Sequence, residues 1–213
     1  MSVEAPELYM RMFFYERRRL AELLSRSGRL EEARELVVRN ALLLSPMVAT
    51  CGPAGPNVAP FMVTFLPRRE HIERLLKELE HISREYWGQG ARAYVAASRF
   101  LLENVYNPEL VDPLMLGSHL MSRGHTYQNI TATGKATLGV LLPPDEGALE
   151  LRATVWIEEE GLYYRYINML HDLMHVVPRG ERSHPWYPAV IFRVDEVYDN
   201  SYHSLGKLVW RRS

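Results

Sequence analysis

Between Gly117 and Ile130 the chain reads Gly-Ser-His-Leu-Met-Ser-Arg-Gly-His-Thr-Tyr-Gln-Asn-Ile, a segment crowded with hydroxyl, imidazole and guanidinium groups. That mixture suits an anion, above all a phosphate. Hydroxyls and backbone N–H groups donate hydrogen bonds, and arginine adds paired charge-assisted ones. A helix beginning at Tyr127 would aim its positive end at the same place. The same composition also suits a solvated polar loop. A second candidate is His171-Asp172-Leu173-Met174-His175. Histidines at i,i+4 share a helix face and could share a metal, with His184 as a third ligand. The glutamate that follows the first histidine in the usual protease motif is missing here. At a helix C-terminus before Pro178, histidines are also welcome as partial positive charge. Cys51 is the only cysteine; with no base partner in view, it reads as a buried structural thiol. Trp186, Tyr187, Tyr202 and Trp210 cluster late and read as core or interface, one of them available to stack on a ring.

These residues need a scaffold, and the hydrophobic pattern supplies one. Met47-Val48-Ala49-Thr50-Cys51 is short and apolar, Gly52-Pro53-Ala54-Gly55-Pro56 must turn, and Asn57–Leu66 is apolar and partly β-branched. This predicts strand, five-residue turn, strand. Further on, Ala136–Leu142 and Ala189–Tyr198 read as strands, with Leu205–Trp210 as a last one. Leu149–Glu158 alternates strictly, placing Leu149, Leu151, Ala153, Val155 and Ile157 on one face. Helical spacing marks Glu7–Leu24, Leu30–Leu44, the stretch from Ile72 to Ile82, and Leu162–His175. Ala91–Glu103 fits a helix, or a strand over Ala93–Ala97. The expected fold class is α+β, one domain over residues 1–213. A helical extension occupies 1–45 and a helical insertion 68–116.

Composition narrows the function. Of 213 residues, 47% are hydrophobic and 24% charged, as in ordinary globular chains. Lys+Arg number 25 and Asp+Glu 26, so no basic excess advertises nucleic acid. All but three of the basic residues are arginine. No Gly-x-Gly-x-x-Gly, Walker loop or Cys-x-x-Cys occurs. The chain shows no leader pattern and no apolar run approaching the ~20 residues that span a bilayer. With one cysteine it is expected in the reducing cytoplasm. The Asn129-Ile130-Thr131 sequon would then go unused.

The run Val48–Met62, with its Ala-Thr strand end, its Gly/Pro turn and the second proline at Pro60, resembles the pyridoxamine-phosphate-oxidase-like FMN-binding split-barrel family. The order of elements after Asn129-Ile130 is similar to that family's second half. The resemblance covers roughly residues 42–66 and 117–210. It implies a split β-barrel, a homodimer and FMN, or the related deazaflavin, in the groove between two chains. It further implies that Pro60, Phe61, Met62 and Val63 run along the isoalloxazine ring, and that Ser122, Arg123, His125 and Thr126 face the phosphate. The family's Ser-Arg-Lys falls on Gly124-His125-Thr126 when Asn129-Ile130 is matched to its Asn-Leu. The lysine is therefore absent, and Ser122-Arg123 stand two residues early. The function implied is an FMN-dependent oxidoreductase of open substrate, with no catalytic residue assigned. Two other functions fit the residues: a cofactor-free barrel serving binding or dimerisation, and a metal-dependent enzyme using His171 and His175.

Overall fold

The computed structural model describes residues 4–27, 38, 45–142 and 147–213. The helix expected over Leu30–Leu44 lies outside the described residues, save Val38, which is helical. Eight strands form one antiparallel sheet: β1 (Met47–Thr50), β2 (Asn57–Pro60), β3 (Thr64–Pro67), β4 (Val111–His119), β5 (Lys135–Leu142), β6 (Gly147–Glu158), β7 (Ala189–Asp199) and β8 (Lys207–Arg211). Among the described residues, apart from Val38, five helical runs accompany them. The first, α1, joins Glu7–Tyr9, a π-helical turn over Met10–Tyr15, and Glu16–Ser27; the others are α2 (Ile72–Tyr86), α3 (Ala91–Phe100, continued by the π-helical Leu101–Val105), α4 (His125–Thr133) and α5 (Leu162–His175). The chain is α+β, as expected.

The strand order β2-β1-β5-β6-β7-β4-β3 ends at both edges on neighbouring pieces of one run, residues 57–67. Only Phe61, Met62 and Val63 separate them, so the sheet closes on itself as a barrel. Three hydrogen bonds hold this linker: Phe61 N–H to the Pro46 carbonyl at 3.1 Å, the Ser118 hydroxyl to the Met62 carbonyl at 2.6 Å, and the Arg17 guanidinium to the Val63 carbonyl. Sequence reasoning took 57–66 as one strand; the closure breaks it into two. The barrel is split along β7, whose first half pairs with β4 and whose second half pairs with β8. β8 begins at Lys207, not Leu205, because Leu205 and Gly206 both adopt positive φ in the preceding turn.

Alternation explains the core. Leu149, Leu151, Ala153 and Val155 of β6 are buried, while Arg152 is exposed. Phe61 meets Phe192 edge-on, with ring centres 6.1 Å apart. Outside the barrel, Tyr9, Phe13 and Phe14 of α1 pack with Phe65, which also contacts Tyr106. The buried Arg17 lies over the rings of Phe13, Phe65 and Tyr106, 5.1–5.8 Å from their centres. In α2, Ile72, Leu75, Leu76 and Leu79 form the buried stripe.

The helical insertion expected over 68–116 is shorter than expected. Its helical part ends at Val105, and Val111–Leu116 belong to β4, a strand paired on both sides. In the sequence, Pro108 and Pro113 read as punctuation after the helical stretch. Pro113 sits where the β3–β4 register jumps from Phe65↔Leu116 to Leu66↔Asp112, so its missing N–H costs no ladder bond. Residues 93–97 are helical, not a strand.

Candidate functional site

The two segments singled out for a ligand, 57–63 and 117–130, are far apart in sequence but adjacent in the fold. At one end Ser118 bonds the Met62 carbonyl. At the other, Asn57 Nδ2 donates to Thr126 Oγ1 at 2.5 Å. The loop 119–125 therefore runs beside the strand run 57–62, pinned at both ends. Strand parity then sorts the side chains. Val58, Pro60 and Met62 point outward and are exposed, whereas Phe61 and Val63 are buried in the barrel. Phe61 and Val63 can offer a ligand only their backbone. The N–H groups of Met62 and Val63 find no partner among the described residues.

The loop delivers its polar groups to the start of α4, which begins at His125, two residues before the expected Tyr127. The first intrahelical bond is Gln128 N–H to the Gly124 carbonyl, and no side chain caps the helix. The N–H groups of His125, Thr126 and Tyr127 thus precede the helical ladder, as an anion site requires. Ser122, Arg123 and His125 are exposed, and Thr126 is buried by its bond to Asn57. Arg123 is already engaged: Nη2 lies 2.7 and 2.8 Å from the two carboxylate oxygens of Glu159, and its guanidinium covers the Tyr127 ring at 5.5 Å.

Asn129 holds this corner together. It is fully buried; its Oδ1 accepts Ala54 N–H at 3.0 Å, and its Nδ2 donates to the Gly55 carbonyl at 2.7 Å and to Thr50 Oγ1 at 3.3 Å. The Gly/Pro turn is thereby clamped beneath α4. A Cβ on Gly52 would stand 2.9 Å from Asn129 Oδ1 and 3.1 Å from its Cα, so the turn approaches the helix as only glycine permits. The buried sequon asparagine cannot accept a glycan in this fold. At the far end Gly134, with φ of 60°, closes the helix through its N–H to the Ile130 carbonyl.

Cys51 corrects the expectation of a buried thiol. It follows Met47 and Ala49 on the outward parity of β1 and is exposed. It lines an open groove of about 1040 Å³ that sequence reasoning missed. Thr50, Asn57 and Val58 form one wall; Lys135, Arg152, Arg193, Arg211 and Arg212 contribute cations from the other strands. Several of these are paired: Arg152 with Glu150 at 2.7 Å, Arg193 with Asp195 at 3.2 Å, and Arg211 with Glu196 at 2.8 Å. Partial burial pushes the Asp195 carboxyl up, but the Thr154 hydroxyl and Arg193 hold it below the usual range. No local pattern marks this groove, since Lys135, Arg152, Arg193 and Arg211 come from four separate strands. Asn57 belongs both to it and to the loop contact, so groove and loop adjoin.

No protein-family model matches the chain, and no curated protein matches it. Solved structures do. HupZ of Group A Streptococcus is 15% identical, with 81% of this chain and 97% of that one covered and a TM-score of 0.46. An FMN-binding protein of Syntrophomonas wolfei is 15% identical, with 86% and 92% covered and a TM-score of 0.43. A Clostridium acetobutylicum protein related to general stress protein 26, of the pyridoxinephosphate oxidase family, is 16% identical, with 85% and 93% covered and a TM-score of 0.41. The structural neighbours of this chain, all at low identity, thus include an FMN-binding protein and a protein of the pyridoxinephosphate oxidase family.

Proposed function

We propose that this protein binds FMN along the strand run 57–63 and acts as a flavin-dependent oxidoreductase. The observation that carries this reading is the pinning of loop 119–125 beside that strand, which sets an uncapped helix N-terminus next to an outward apolar row. The residues fit the cofactor in three ways. Val58, Pro60 and Met62 offer an apolar surface for a ring. The N–H groups of Met62 and Val63 suit its polar edge. Ser122, Arg123 and the N–H groups of His125, Thr126 and Tyr127 suit a phosphate. When bound, the flavin supplies the electron-transfer chemistry. The chain's residues bind and orient it. A deazaflavin presents a similar ring and phosphate chemistry and is the other cofactor this surface would take.

The visible spectrum of the purified protein and a fluorescence titration with FMN test this reading. A charged hydrogen bond is worth about 1.5–3 kcal/mol. Arg123→Ala is therefore expected to weaken FMN binding roughly ten- to a hundredfold. Riboflavin, which lacks the phosphate, should bind parent and variant alike. Equal FMN affinity in both would remove Arg123 from the site, and no binding by the parent would remove the flavin.

A second reading, a cofactor-free dimerisation barrel, is favoured by the outer face of β1, β2 and β5. Met47 is 49% exposed, Val58 59%, Met62 58% and Leu141 51%. They adjoin through the pairs Met47↔Pro60 and Met47↔Gly139. A contiguous apolar patch of this kind suits a second copy of the chain in either reading.

A further inference from the structure

Four of the chain's eight histidines meet at one place. The ring centre of His171 lies 4.7 Å from His119, 4.7 Å from His175 and 5.3 Å from His184. They arrive from three parts of the chain: the end of β4, the last turns of α5, and the loop before β7. Asn168 fastens that loop to α5, accepting Tyr187 N–H at 3.0 Å and donating to the Tyr187 carbonyl at 2.9 Å. Tyr187 stacks on His184 at 5.0 Å. Only the pair on α5 is evident from spacing; His119 lies 52 residues upstream of His171 and enters through tertiary structure.

The ring nitrogens have lone pairs to offer. His119 Nε2 is enclosed and bonds to nothing. His184 Nδ1 lies 3.1 Å from the Pro185 carbonyl, which can only accept. Nδ1 therefore carries the proton, and Nε2 holds the lone pair. His171 Nδ1 faces Asp172 Oδ1 at 3.9 Å, and that buried oxygen has no hydrogen-bond partner. The other carboxylate oxygen takes Arg182 and, at 2.9 Å, the Trp186 indole N–H. A carboxylate behind a ligating histidine is the usual means of fixing its tautomer.

We propose that His119, His171, His175 and His184 bind one divalent transition-metal ion of the class that favours imidazole, such as Zn²⁺, Co²⁺ or Ni²⁺. Two imidazoles on one tetrahedral ion, with nitrogens about 2.0–2.1 Å from it, place their ring centres roughly 5 Å apart. The observed separations from His171 bracket that value. Among the described residues no three His, Cys, Asp or Glu side chains already stand where they could hold an ion. Binding therefore requires the rings to turn, and the half-buried His171, His175 and His184 have a surface side from which to do so. This site is independent of the flavin reading.

The test uses the untagged full chain, stripped with a chelator and titrated with Zn²⁺ in a calorimeter and with Co²⁺ in a visible spectrometer. One ion per chain is expected, with the intense ligand-field bands of four-coordinate Co²⁺. Loss of even an indirect partner of a metal ligand costs roughly 10–100-fold in affinity. His171→Ala should lose at least that much, and His119→Gln should weaken binding and shift the Co²⁺ bands. His184→Gln lies on a loop and tests the site where His171→Ala fails to fold. His203→Ala, at an exposed histidine, should change nothing. No saturable binding by the parent, or binding equally tight in His171→Ala and His184→Gln, overturns the proposal.

Discussion

Asn129 shows how one side chain can carry a corner of a fold. Its amide satisfies one acceptor and two donor bonds to the β1–β2 turn while fully buried. Asn129→Ala removes these and strands the Ala54 N–H and Gly55 carbonyl, each costing about 1–3 kcal/mol if left unpaired. A loss of about 3 kcal/mol is expected in a denaturant titration, with the slope unchanged. Arg123 poses the opposite case, an exposed cation held by the exposed Glu159. An exposed pair contributes little to stability. Glu159→Gln should therefore leave the denaturation midpoint within about 0.5 kcal/mol of the parent. In the flavin reading it should also tighten FMN binding, because the phosphate no longer competes with a carboxylate for the guanidinium. Weaker FMN binding in Glu159→Gln would contradict this account of the loop.

β4 is the element on which the candidate sites converge. Its Ser118 closes the barrel against Met62, its His119 joins the imidazole cluster, and the loop that follows carries Ser122 and Arg123. Its position depends on α5 lying close against it, and Gly117 permits that approach. A Cβ there would stand 2.6 Å from Ile167 Cδ1 and 2.7 Å from Leu66 Cδ2. Both are side-chain ends, but both belong to buried residues with little room to move. Gly117→Ala should cost about 1–3 kcal/mol by overpacking. Thermal unfolding and amide exchange would show the loss, with β4 amides the most affected. An unchanged midpoint would mean that Ile167 and Leu66 repack freely.

For the molecule as a whole, the histidine cluster makes stability depend on pH. Burial, with repulsion from His171, His184 and His175 and against a hydrogen bond that the imidazolium would donate to the Asn168 side chain, pushes His119 down to about 4. Burial first and then Arg182 lower His171; burial first, then His171, Arg179 and His184, lower His175. An imidazole whose folded-state pKa lies below its unfolded value binds more protons when unfolded. Its contribution is fully present above the unfolded value of ~6.5 and is lost as pH falls toward the folded one. The metal-free chain should lose on the order of 3 kcal/mol from His119 alone as pH falls from ~6.5 to ~4. Denaturant midpoints measured across that interval should fall with acidity, and His119→Gln should flatten the curve. The exposed face of β1, β2 and β5 leads to a further expectation: light scattering at micromolar concentration should report a dimer, and Met62→Glu should yield the 24.7 kDa monomer.

The sequence by itself determined the elements. Alternation in Leu149–Glu158 and the apolar spacing of Ile72–Ile82 and Leu162–His175 are local signals, and the corresponding strand and helices formed where those signals stand. The likeness of Val48–Met62 to a split barrel pointed to strands that do close into one. Tertiary structure decided what local pattern cannot encode. Pro113 read as punctuation because its tolerance depends on a bulge opposite β3. Cys51 read as buried because outward and inward parity are equivalent until the barrel chooses its inside. Lys135, Arg152, Arg193 and Arg211 carried no motif, since a groove formed by four separate strands leaves no trace in spacing. The same holds for His119 and for the pairing of Asn57 with Thr126. Both depend on residues brought together only when Phe61–Val63 closes the sheet, and closure is a property of strand order over the whole chain.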